Sequence, residues 1–397
     1  MPGGPHPWDR WGWRRRVTTV SALVAVVLGS GVGWEVMTSD RSADLMTPGM
    51  LSVQFVSQQA GWAVTPGHLW RTVDGGTSWA TIAAPPDFQG RIDPVTVLSG
   101  STLVISTMVG GRWRVYSTQD TGRRWEVTGE LPVPATPGMP PVPTSSMGGI
   151  FLQFVTPRDG WIATSISGAA GSERIDLAHT TDGGSRWTYT WWPDPSSSTL
   201  GGGAGDITGI QFLSPQFGFL TGVSPVAPYL VRWTGGMGQA SDPPVPPAFA
   251  STEMEDQLEV SAPLRTKSGQ LLLPVLATQG GYLAESANDG VSWSIVGSLP
   301  KSFAAFVRSP LLAATQGSTD LWIAQGRDTW ISNQGGRAWH LVQRLPGGKV
   351  VSGLASAGSQ VAWVVVALDN RSGMPLRPVA LLRTTDAGRR WTHVTVP

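Results

Sequence analysis

Cysteine is absent from the 397-residue chain, which excludes disulfides, thiolate metal sites and thiol nucleophiles and leaves the redox compartment unmarked. Charge is scarce, at 14% of residues, and the two signs cancel to a net of +1. A nucleic-acid binder needs a positive field that this composition does not supply. The five histidines, His6, His68, His179, His340 and His393, are scattered without metal-ligand spacing, so neither metal nor other cofactor is expected. No Walker-type phosphate loop occurs, and no long amphipathic helical run interrupts the sequence.

Glycine (50), proline (32) and tryptophan (20) are abundant instead. Many turns and large aromatic packing units suit short strands joined by tight loops, an all-β chain.

The N-terminus stands apart. Arg10, Arg14, Arg15 and Arg16 precede an uncharged apolar run over 17–34, followed by Glu35 and Asp40. Eighteen such residues suffice to cross a hydrocarbon core of about 30 Å as a helix. Basic residues on the N-terminal side place residues 1–16 in the cytoplasm and the rest outside. Trp8, Trp11, Trp13 and Trp34 fit interfacial anchors. The expectation is a transmembrane anchor or uncleaved signal over 17–37, a linker over 38–49 and a single-pass cell-membrane protein. A cleaved signal peptide is the competing reading, with Gly29, Ser30 and Gly31 offering small residues to a protease.

Internal repetition decides the fold. Four segments share Ser/Thr-x-Asp-x-Gly-x-x-Trp: Thr72, Asp74, Gly76, Trp79; Thr118, Asp120, Gly122, Trp125; Thr180, Asp182, Gly184, Trp187; and Thr384, Asp386, Gly388, Trp391. Two relax the acidic position, with Ser286, Asn288, Gly290, Trp293 and with Ser332, Gln334, Gly336, Trp339. Successive tryptophans lie 46, 62, 106, 46 and 52 residues apart. The doubled interval calls for a degenerate copy near residue 240, where Tyr229 to Trp233 and Gly235-Gly236 keep a strand and the glycines. Six clear copies and one decayed copy make seven units of about 51 residues, the size of a four-stranded blade with its loops. Upstream of the boxes recur Gln54-Phe55 with Gly61-Trp62, Gln153-Phe154 with Gly160-Trp161, and Gln211-Phe212 with Gly218-Phe219. Each unit reads strand, short turn, strand, loop, strand, box turn, strand. The prediction is a seven-bladed β-propeller over 50–397, preceded by one transmembrane helix. The box carboxylates are expected to hold turns by bonding N–H groups two residues on, with glycine supplying positive φ and tryptophan burying its ring.

These residues resemble the Asp-box, or bacterial neuraminidase, repeat. The fuller pattern of Phe, Gly-Trp and Thr-x-Asp-Gly-Gly-x-x-Trp is similar to the photosystem II assembly and stability factor family. The resemblance covers about 50–397. It implies a seven-bladed propeller outside the cytoplasm that binds membrane-protein assembly partners and catalyses nothing. It does not imply photosynthesis.

Strand alternation puts the box turns and the short first-to-second-strand turns on one face. The long irregular segments 132–149, 168–176, 193–206, 242–256 and 369–378 fall on the other, where binding is expected. Arg91, Arg112, Arg174, Arg327, Arg371 and Arg377 come from six loops of that face. If they converge, they offer guanidinium groups to a carboxylate or an acidic partner segment. Asp87, Glu173, Glu255, Asp328 and Asp369 share the face, so ordinary solvated charge is the alternative. A protein partner is the leading expectation, and a carbohydrate or cell-wall ligand is the alternative.

A sialidase-like glycosidase is the enzymatic alternative. Such enzymes use an arginine triad, a tyrosine nucleophile paired with glutamate, and a Phe/Tyr-Arg-Ile-Pro motif. The nearest strings, Arg91-Ile92-Asp93-Pro94 and Arg174-Ile175-Asp176, do not match. Among the four tyrosines, Tyr116, Tyr189, Tyr229 and Tyr282, only Tyr282 with Glu285 approaches a nucleophile pair.

Overall fold

The computed structural model describes residues 22–28, 32–39, 52–65, 67–85, 92–109, 112–130, 147–166, 174–192, 206–223, 228–241, 258–277, 280–303, 311–314, 319–369 and 377–396. From Ser52 to Val394 the strands fall into seven separate antiparallel sheets, spanning 52–82, 92–130, 147–192, 206–241, 259–298, 311–344 and 349–394. In each sheet the strands lie side by side in chain order, and first strands of neighbouring blades touch. This is the seven-bladed propeller that the tryptophan spacing predicts. Blade 5 differs only in its first strand, which is broken into Glu259–Val260 and Leu264–Arg265. The decayed fourth unit is a complete blade whose last hairpin turns on Gly235 and Gly236 alone, with φ of 59° and 89°.

The Phe and Gly-Trp signals belong to one packing device. Phe55, Phe154 and Phe212 pair across the first and second strands with Gly61, Gly160 and Gly218. Each ring folds back over its glycine so closely that a Cβ there would sit 2.4–2.6 Å from ring carbon. The aromatic residue after the glycine, or after Ala362 in blade 7, then meets the next blade. Trp161 of blade 3 stacks on Phe212 of blade 4 at 4.1 Å and 2°, and Trp363 of blade 7 stacks on Phe55 of blade 1 at 3.6 Å and 8°. Beneath the stacks, the buried carboxamide of Gln153 both accepts from Phe212 N–H and donates to Phe212 carbonyl. Gln54 makes the equivalent pair of bonds to Val95 and Val97 of blade 2.

Box turns hold their own hairpins and the adjacent blade. The hub is the Ser/Thr hydroxyl rather than the carboxylate. Thr72 Oγ1 accepts the N–H groups of Asp74 and Gly76 and donates to Asp74 Oδ1. Asp74 reaches four residues on, not two, taking the N–H and hydroxyl of Ser78. The pattern repeats at Thr118, Thr180, Ser286 and Thr384, where Asp120, Asp182, Asn288 and Asp386 accept N–H from the residue four on. Ser332 keeps the hub, but Gln334 contributes only its backbone N–H to it; its side chain is one methylene too long for the compact ring. Two consecutive positive-φ residues complete each turn, and Thr121, Asp289 and Ala387 adopt that conformation without being glycine. The second turn glycine lies against the fourth strand of the preceding blade, as Gly122 does on Ile82, Gly388 on Val342 and Gly76 on Val394.

At the N-terminus the structure differs from expectation. Where a membrane-crossing helix is predicted over 17–37, Ala22–Leu28 and Val32–Ser39 pair as an antiparallel hairpin, lying against first strands of blades 4 and 7. Valine is rich in both strands and Gly29-Ser30-Gly31 separates them, a composition that suits a hairpin wherever no bilayer is present. No helix among the described residues is long and apolar enough to cross a membrane.

Two predictions follow from this packing. Gly160→Ala forces Phe154 off its rotamer and lowers the unfolding free energy by about 2 kcal/mol, whereas Gly347→Ala, with nothing within 4 Å of the new methyl, changes it by less than about 0.5 kcal/mol. Urea titrations of both variants check the contrast. The carboxyl of Asp74 is lowered from 3.8 to about 2, chiefly by the Ser78 hydroxyl and then by the Ser78 N–H. A depressed carboxylate adds stability that is complete above its ordinary pKa and disappears as pH falls through the folded value. Asp74→Asn is therefore expected to be mild at pH 7, as Asn288 performs the same task, and to flatten the acid limb between about pH 4 and 2. Asp74→Ala should cost about 1 kcal/mol at pH 7 and progressively less towards pH 2.

Candidate functional site

The two faces are built differently. On the box face, the box turns of blades 1, 2, 3, 6 and 7 are tied to the neighbouring first-to-second-strand turn of their own blade: Gly75 N–H donates to Gln59 carbonyl, Thr121 to Ser101, Gly183 to Arg158, Gly335 to Thr319 and Ala387 to Gln360. Even the truncated blade keeps the bond, from Gly235 to Gln216. These turns are short and internally saturated. The opposite face takes the second-to-third-strand connections and the passages between blades. Of these, 131–146, 167–173, 193–205, 242–257 and 370–376 lie outside the described residues, so most of the five long segments are not described.

Topology places four of the six candidate arginines at that loop face. Arg112, Arg174 and Arg377 open the third strands of blades 2, 3 and 7, and Arg327 sits in the tight second-to-third turn of blade 6. Arg91 and Arg371 lie outside the described residues, as do the side chains of Arg174 and Arg377. The two with described side chains are exposed and engaged locally. Arg112 pairs with Glu130 at 3.2 Å, a carboxylate shared with Arg114 at 3.5 Å. Arg327 Nε donates to the Leu345 carbonyl at 2.8 Å. Next to it, Asp328 is buried and held bidentately by Arg344 at 2.7 and 2.8 Å, a pair that raises the arginine pKa. Asp328 is thus a strut of the blade, and Arg112 and Arg327 keep solvent-facing N–H groups for a further acceptor.

The candidate nucleophile pair does not form. Tyr282 is buried in the core with Phe219 and Leu230, and burial pushes its phenol pKa up. Glu285, three residues along the same strand, projects to the opposite face, where it approaches Arg337 at 3.8 Å. Among the described residues no three His, Asp or Glu side chains gather as metal ligands. His179 serves packing: its ring stacks on Trp161 at 4.1 Å, and burial lowers its pKa.

A cavity of about 620 Å³ opens on the box face, lined by turns of blades 1, 6 and 7, among them Ser57, Gln58, Gln59, Asp320, Ser359 and Gln360. No motif in the sequence marks this hollow. The available signal was compositional. The first turns of blades 1 and 7 carry carboxamides and no charge, whereas that of blade 3 carries Arg158 and Asp159.

No family model matches the sequence. Over 93 residues, 23% of this chain, the sequence is 32% identical to the photosystem II assembly lipoprotein Ycf48 of Synechococcus sp. (strain CC9902), and the matched stretch spans 27% of that protein. Among solved structures, the chain is similar to YCF48 from Cyanidioschyzon merolae, with a TM-score of 0.53 and 18% identity over 88% of this chain and 98% of that one. It is also similar to a YCF48 bound to a D1 peptide, with a TM-score of 0.50 and 18% identity over 89% and 96% of the two chains. At that identity the two structures establish a shared propeller fold.

Proposed function

We propose that this chain is a non-catalytic propeller, tethered at the outer side of the cell membrane, that holds a protein partner during assembly of a membrane complex. The observation that carries the reading is the sequence likeness to an assembly lipoprotein. It is supported by a ring in which every described box carboxylate is consumed by its own turn, leaving the loop face as the variable surface. The solved YCF48 with a D1 peptide makes a peptide segment of another protein the natural class of partner.

The tether is the apolar segment 17–37 itself, because a chain without cysteine has no thiol to acylate or prenylate. A two-stranded hairpin with open edges leaves backbone groups unpaired in hydrocarbon, while a helix satisfies them internally. In a bilayer we therefore assign this segment a helix. The loop-face arginines, with Arg112 and Arg327 the best placed, supply charge-assisted bonds to a partner carboxylate.

The deciding experiment is affinity purification of the tagged full chain from gently solubilised membranes, with quantitative mass spectrometry of co-purifying proteins. A stoichiometric membrane-protein partner is expected, and at least a tenfold loss of it when Arg112, Arg174, Arg327 and Arg377 are changed to alanine together. A chain that emerges alone, or a partner indifferent to those substitutions, sinks the loop-face reading and favours a glycan ligand.

A further inference from the structure

The box-face cavity has features that the turns around it do not need. The main-chain carbonyls of Gln59 and Gln360 are occupied by the box amides of Gly75 and Ala387, which fixes both turns. The carboxamides of Gln58, Gln59 and Gln360 make no hydrogen bond among the described residues, although Gln58 Nε2 lies close over Gly358, 3.1 Å from where a Cβ would stand. Ser57 Oγ accepts the N–H groups of Gln59 and Ala60, and its own proton remains available. Three carboxamides and two seryl hydroxyls thus edge one hollow, with Asp320 as the single charged side chain.

The chemistry of that lining selects a ligand class. Among the described residues no Lys, Arg or His lines the cavity, so none of them compensates a carboxylate or phosphate there, and none offers an aromatic ring on which a sugar face would stack. A carboxamide presents one carbonyl acceptor and N–H donors, the same complement as a peptide unit, so an array of them matches the main chain of an extended polypeptide whatever its side chains.

Position adds a second argument. The cavity bridges the turns of blades 7 and 1, the junction where the two ends of the propeller meet without exchanging a strand. A ligand touching both turns binds the closed ring and not the opened one, and so stabilises closure by mass action.

We propose that this cavity binds an extended, uncharged polypeptide segment through its main-chain amides, read by Gln58, Gln59 and Gln360, and that occupancy fastens the seam between blades 7 and 1. The inference rests on the partner-binding reading above and adds to it a second site on the opposite face, with different chemistry.

The test uses the full chain in detergent micelles. A displayed library of uncharged 12-residue peptides is selected against it, and enriched peptides are titrated by calorimetry. The titrated proteins are the parent, Gln58→Ala/Gln360→Ala and Arg112→Ala/Arg327→Ala, with cellohexaose and chitohexaose as sugar probes. Enriched peptides should bind at least tenfold more weakly to the glutamine variant and unchanged to the arginine variant. They should also slow amide exchange in Ser52–Phe55 and Lys349–Ser356. Gln58→Glu/Gln360→Glu, nearly isosteric, should weaken binding similarly and guards against misfolding of the alanine pair. Absence of any enriched peptide, affinity on both glutamine variants unchanged from the parent, or sugar binding that depends on these residues overturns the proposal. Affinity lost only on the arginine variant overturns it too, while leaving the loop-face reading standing.

Discussion

A ring whose first and last blades share no strand stays closed only through what those blades present to each other. Here that is Phe55 against Trp363, the indole N–H of Trp363 donating to the Gly75 carbonyl at 3.0 Å, Arg383 over the outer face of the same indole, and Val394 beneath Gly76. The junction between blades 3 and 4 uses the same grammar, with Phe212, Trp161 and His179 in the three places. The seam and this interior junction therefore differ in covalent connection and not in the stacking of their rings. At the seam the Phe–Trp contact does what the chain helps to do between blades 3 and 4. This is why glycine is required opposite each phenylalanine: only without a Cβ does the ring fold back far enough to meet the next blade.

Much of this was legible in the sequence, for reasons tied to particular residues. The box tryptophans mark the outer hairpins because a large ring next to a glycine-rich turn has few other uses, and their spacing gives the number of blades even across the decayed copy at Gly235-Gly236. The roles of Gln54 and Gln153 were not legible. A glutamine at an alternating position in a strand looks solvent-facing, and only the approach of the next blade turns it into a buried clamp. The hydroxyl hub was concealed similarly, since Ser/Thr and Asp are both acceptors and only geometry shows which one gathers the N–H groups. The N-terminal segment was ambiguous in principle, because a valine-rich apolar run fits a helix in hydrocarbon and a hairpin elsewhere.

The candidate site was legible in its topology and not in its chemistry. Strand alternation assigns Arg112, Arg174, Arg327 and Arg377 to one face with no knowledge of side chains. It cannot reveal that Arg112 is shared with Glu130 or that Arg327 caps Leu345. Conversely, Asp328 looked like a competitor for a ligand and is instead committed to Arg344. The distinction between committed and available charge depends on cross-strand register, which a linear repeat does not encode.

The division between faces also bears on orientation. Because every blade has four strands, the first strand of blade 1 starts at the loop face and the last strand of blade 7 ends there. A tether entering through residues 38–49 thus reaches the propeller on its loop side. Twelve residues reach at most about 40 Å, so on the tethered reading proposed above the loop face is held within that distance of the bilayer. The saturated box turns then face outward. On that reading a partner embedded in the bilayer would meet the long loops and their arginines, and the carboxamide cavity would be left to chain segments that extend further from the membrane. Two proposed sites of different chemistry on opposite faces, one rich in guanidinium groups and the other in carboxamides, would suit a scaffold that holds both the anchored and the emergent part of one client.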